Sequence, residues 1–123
     1  MKASEIILQD SERNGVDGQQ LLNGIAAAVK SKQSIVLQEN DSVLVMSHMQ
    51  GKPHNFSLHL FTMDAPLTLA KSITTFIKKI RGMEGGQNVY GDTDNQQLLA
   101  LLKRLGVDVL DSDLEGYTWM AEI

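Results

Sequence analysis

The strongest constraint on the fold is a change of period at Asp64. Before it, HNFSLHLFTM (54–63) alternates, with Phe56, Leu58 and Leu60 on one face and Ser57 and His59 on the other. That is the pattern of a strand with one buried face. After it, Leu69, Ile73, Phe76, Ile77 and Ile80 recur at helical spacing, and Gly82 can stop the helix. Asp64 stands where an N-cap belongs, and Pro66 falls in the first turn, where its missing N–H costs nothing. Through the flexible EGG the chain then reaches QNVY (87–90), a short strand. Strand, helix and strand in this order form a crossover unit.

The flanks extend the same sheet. SIVLQE (34–39) and SVLVMSHM (42–49) are rich in β-branched residues and meet at Asn40-Asp41, a two-residue hairpin signature. QGKP (50–53) is expected to be the next turn. Upstream, Asp17 can cap a helix running to Lys30, with Leu21, Leu22, Ile25 and Val29 on one face and Gly24 interrupting it. Residues 1–16 are polar and carry no assignable pattern, and SERNG reads as a loop. Downstream, Asp94 is expected to cap a helix whose apolar face is Leu98, Leu101, Leu102 and Leu105. Gly106 takes the left-handed cap and Val107 supplies its apolar contact. VDVL (107–110) and YTWMAEI (117–123) are the last strand candidates, joined through Gly116. The expected order is α-β-β-β-α-β-α-β-β. It describes one α+β domain over 1–123, a mixed sheet with helices on its faces.

Composition narrows the function classes. The 123 residues are 42% hydrophobic and 21% charged, an ordinary globular balance. The absence of cysteine excludes disulfides, thiolate metal sites and cysteine nucleophiles. MKASEIILQD does not read as a signal peptide, and no stretch approaches the roughly 18 apolar residues of a membrane span. The expectation is a protein that is neither secreted nor membrane-bound. A net charge of −4 argues against nucleic acid as a partner. The basic groups Lys78, Lys79, Arg81 and Lys103, Arg104 fall at helix C-termini, where they complement the dipole.

Single residues add little chemistry. His48, His54 and His59 lie on adjacent strands without ligand spacing, so no metal site is expected. His59 should face away from the buried Phe56-Leu58-Leu60 set. The serines lack a nucleophile-elbow context, and GMEGG follows a helix and reads as a connector. Trp119 alternates with Tyr117 and Ala121 as a core anchor of the last strand.

Asn95, Leu98, Leu101 and Gly106 carry a resemblance. In the GNAT family of N-acetyltransferases the corresponding helix reads N-x-x-A-x-x-L-Y-x-x-x-G-F. Asn95 to Gly106 matches that spacing without a gap, with Val107 replacing the last aromatic. The order of elements over 34–123 resembles the same family, which implies a mostly antiparallel mixed sheet of six or seven strands and acetyl-CoA as cofactor. HLFTMDAPLTLAKSITTFIKKI with VYGDTDNQQLL looks most like small GNAT-like proteins of tailed phages.

The departures bear on activity. Where the family has R/Q-x-x-G-x-G/A at a helix start to hold a pyrophosphate, this chain has TMDAPLTLAKS, without glycine, arginine or glutamine. Asp64 would fill the helix-start donors with its own carboxylate, and Pro66 removes one. Leu102 occupies the position of the family tyrosine that protonates the leaving thiolate, and Tyr90 and Tyr117 lie elsewhere. The reading these residues favour has no catalytic residue and no bound cofactor. It is an inactive GNAT-like protein serving as a structural or interaction component of a phage virion or its assembly, with a protein partner. The alternative is a divergent acetyl-CoA-dependent N-acetyltransferase, whose cofactor contacts would fall on Thr62, Leu67, Thr68, Leu69 and Asn95. A third is a small phage regulator that binds a host protein.

Overall fold

The computed structural model describes residues 1–123 apart from Gln50, Asp94 and the side chain of Pro53. Two helices open the chain, α1 (Ala3–Arg13) and α2 (Gly18–Lys30). Three antiparallel strands follow, β1 (Ser34–Glu39), β2 (Ser42–Met49) and β3 (Lys52–Thr62). Helix α3 (Pro66–Arg81) crosses over to β4 (Asn88–Gly91), which lies parallel to β3. Helix α4 (Gln96–Arg104) leads into β5 (Leu110–Asp111) and β6 (Trp119–Glu122). The sheet order is β1-β2-β3-β4-β6-β5, so the closing hairpin returns with its second strand against β4.

Period-2 alternation divides the sheet into two faces. Leu44 and Met46 of β2 and Phe56 of β3 turn to one side, under Ile73, Phe76, Ile77 and Ile80 of α3 and Leu102 of α4. Val43 and Val45, with Phe61, turn to the other, under Ile6 and Ile7 of α1 and Leu21, Leu22 and Ile25 of α2. Val29 is 41% exposed, outside the α2 stripe expected for it, because the helix packs through its earlier turns.

Helix α1 overturns the reading of 1–16 as unassigned. Its stripe is only Ile6 and Ile7, extended by the buried polar Asp10 and Ser11, too short a periodicity to stand out in sequence. Tertiary packing and the side chain of Asp10 supply what propensity does not. The Asn40-Asp41 hairpin pairs Glu39 with Ser42, with Asn40 at φ 51°. Of the expected 50–53 turn, Gln50 lies outside the described residues, Gly51 has φ 77°, and Lys52 already belongs to β3. Helix α4 ends as expected. Val107 N–H donates to Leu102 C=O at 3.0 Å and Gly106 N–H to Lys103 C=O at 3.1 Å, with Gly106 at φ 86°. The two closing strands run only over Leu110–Asp111 and Trp119–Glu122, shorter than 107–110 and 117–123, and pair through Leu110 with Met120 and Asp111 with Trp119.

Candidate functional site

Strands β3 and β4 stay together for only three positions: Asn55 beside Asn88, Phe56 beside Val89 and Ser57 beside Tyr90. Beyond them β3 continues along β2 to Thr62, while β4 ends at Gly91. Their divergence opens a cleft of about 460 Å³. Leu58, Leu60 and Thr62 of β3 form one wall, Leu69, Ile73 and Phe76 of α3 a second, and Gly91, Asp92, Thr93, Asn95, Leu98, Leu102 and Trp119 the rest.

The far end of the free β3 edge is covered by α1. Thr62 N–H donates to Asp10 Oδ2 at 3.4 Å, and Arg13 Nη2 donates to Thr62 C=O at 3.0 Å while pairing with Asp10. Alternation aims the main-chain N–H and C=O of Leu60 the same way, toward the cleft.

The start of α3 differs from its expected form. Ala65 is the N-cap and no side chain caps the first turn. The carboxylate of Asp64 turns back to the hairpin, accepting from Ser42 Oγ at 2.6 Å, Asp41 N–H at 3.2 Å and Ser72 Oγ at 3.4 Å. Ser42 is wholly buried and its hydroxyl needs an acceptor, and this demand outweighs the local capping preference. The first-turn amides of Leu67 and Thr68 are therefore free of the carboxylate expected to fill them. Leu67 is 82% exposed and stays out of the cleft.

Of the five candidate cofactor contacts, Thr62, Leu69 and Asn95 line the cleft, whereas Leu67 and Thr68 stand at the helix start beside it. Asn95 is the observed cap of α4, its Oδ1 accepting from Gln97 N–H at 3.0 Å and Leu98 N–H at 3.2 Å. Asp94 lies outside the described residues. Leu102 is buried in the core and offers no proton. Tyr90 is buried against Tyr117 with ring centroids 5.7 Å apart. Burial, then the charge of Asp113, pushes its phenol pKa above the ordinary value.

Sequence reasoning missed the pairing at the inner end of the cleft. The indole of Trp119 lies on Gly91, so closely that a Cβ at residue 91 would stand 2.3 Å from Nε1 and Cε2. Nε1 is buried without a hydrogen-bond partner among the described residues. A glycine directly after the strand pattern NVY was the available signal. Asp10 and Arg13 were also missed, in a segment without a legible pattern.

The histidines separate. His48 stands opposite Phe56 with rings 4.5 Å apart. His54 lies against Gly85. His59 faces away from Leu58 and Leu60, toward a second hollow of about 520 Å³ under α2. Among the described residues no three histidine, aspartate or glutamate side chains gather as metal ligands, and no helix is long and apolar enough to cross a membrane.

No protein-family model matches the chain, and no curated protein matches it by sequence. Solved structures match it by shape. The N-acetyltransferase PseH of Campylobacter jejuni, in complex with acetyl coenzyme A, aligns over 100% of this chain and 92% of its own, with TM-score 0.61 and 12% identity. A ribosomal-protein-S5-alanine acetyltransferase of Vibrio fischeri aligns over 97% and 85%, with TM-score 0.58 and 11% identity. RimJ of Mycobacterium smegmatis, in complex with CoA-disulfide, aligns over 98% and 74%, with TM-score 0.51 and 13% identity. At such identities the likeness is one of architecture. With six strands among the described residues, mostly antiparallel, and a crossover helix joining the diverging pair β3 and β4, the chain has a GNAT-like fold.

Proposed function

We propose that the chain is a divergent N-acetyltransferase that binds acetyl-CoA between β3 and β4 and passes its acetyl group to an amine. This replaces the inactive scaffold as the favoured reading. The observation that carries it is the divergence of β3 and β4 after Ser57 and Tyr90, which leaves an open, largely apolar cleft. The residues present fit such a ligand. The free edge at Leu60 can pair with the amides of a pantetheine arm as an added strand would. The uncapped start of α3 offers amides to an anionic end. The architectural relatives PseH and RimJ hold acetyl coenzyme A and CoA-disulfide.

The test is direct because the protein has no thiol of its own. Acetyl-CoA at 100 times its dissociation constant should stabilise the fold by about 2.7 kcal/mol, and CoA released to amine acceptors reads out as free thiol. No thermal shift at millimolar acetyl-CoA would reject the proposal.

Leu102 favours a second reading, since it leaves the family's acid position without a proton. On that reading the protein is a scaffold acting through a protein partner, in a phage virion or on a host protein. Absence of both acetyl-CoA binding and thiol release, together with stoichiometric presence in purified virions, would favour it.

A further inference from the structure

We propose that the indole N–H of Trp119 is the hydrogen-bond donor for the acyl carbonyl of a thioester bound in the cleft, an inference that rests on the acetyl-CoA reading. Trp119 is 7% exposed, and its Nε1 is enclosed without a partner among the described residues. Native proteins keep few such donors, because a buried N–H left unpaired is costly. This one is built into a cavity wall. Its ring rests on Gly91, where any Cβ would collide with it, and both residues line the cleft where β4 parts from β3.

The chemistry favours the carbonyl over the sulfur. An indole N–H donates but does not ionise, so it cannot replace the missing acid. A carbonyl oxygen is the acceptor on which negative charge grows as an amine adds. In that step the amine nitrogen bonds to the thioester carbon, and the C–S bond breaks with its electron pair left on sulfur. The ammonium proton passes to solvent, and the indole proton stays on Nε1. With thiols ionising near pH 8.5, thiolate departure does not require the acid that Leu102 lacks.

Trp119 is the single tryptophan, so a 15N-labelled sample shows one indole N–H resonance. Acetyl-CoA at saturation is expected to move it downfield of its position in saturating CoA, which lacks the carbonyl. Trp119→Phe is expected to bind CoA as the wild type does but to lose about five- to tenfold in affinity for acetyl-CoA relative to CoA. Equal indole shifts with the two ligands, or an unchanged affinity ratio in the variant, overturns the assignment to Trp119 and leaves the acetyl-CoA reading standing. If neither ligand binds the wild type, both fall. Should Trp119→Phe fail to fold, the wild-type resonance alone decides.

Discussion

The carboxylate of Asp64 accepts a hydrogen bond from Ser42 Oγ at 2.6 Å, tying the approach to α3 to the first strand hairpin. A residue placed in sequence to cap a helix instead serves two buried serines. That single preference decides whether the start of α3 is blocked by its own aspartate or open to a ligand.

Ser42→Ala should therefore be costly although it removes only one oxygen. Ser42 is wholly buried and also pairs with Thr62 Oγ1 at 2.7 Å. Leaving these partners unsatisfied is expected to cost about 2 kcal/mol, read as a lower urea midpoint with unchanged slope. A midpoint equal to that of the wild type would show that the network contributes nothing.

Gly91→Ala places a methyl group 2.3 Å from the indole of Trp119. Overpacking of this kind costs about 1–3 kcal/mol, and the displaced ring should emit at longer wavelength. An alanine variant with native stability and emission would contradict the packing described.

Asn95→Ala removes the acceptor of the Gln97 and Leu98 amides. The expected loss is about 1 kcal/mol, with faster amide exchange confined to the first turn of α4. Asn95→Asp should keep the cap and the protection.

Alkaline pH tests Tyr90. Its folded pKa is raised by burial and then by Asp113, so the unfolded chain gives up the phenol proton first. The contribution is complete below the unfolded value, near 10, and is lost as pH rises through the folded one. Urea midpoints should fall above about pH 10 in the wild type and fall less in Tyr90→Phe. Identical alkaline limbs would assign the loss to other groups.

Much of the fold was legible because its signals are local. Asp17 caps α2 through Gln20 N–H, Asn40 and Asp41 turn the hairpin, and Gly106 closes α4 with the Leu102–Val107 hydrogen bond expected of its motif. Each rests on residues a few positions apart, and the alternation from Phe56 to Leu60 and the stripe from Ile73 to Ile80 are equally local. The Asn95-to-Gly106 spacing carried the family resemblance for the same reason. The site was less legible. Thr62, Leu69 and Asn95 were named as possible contacts, yet nothing near them in the chain reveals where β3 and β4 part.

By itself, then, the sequence determined where the helices and strands from α2 to α4 form, because period, caps and turns act within a few residues. Tertiary structure alone decided which group satisfies which. It turned Asp64 from helix cap to hairpin acceptor, made α1 from a segment with two buried isoleucines, set His48 against Phe56, and seated Trp119 on Gly91. Buried polar groups take partners wherever the folded chain brings them, and in this chain those partners come from elements far apart in sequence.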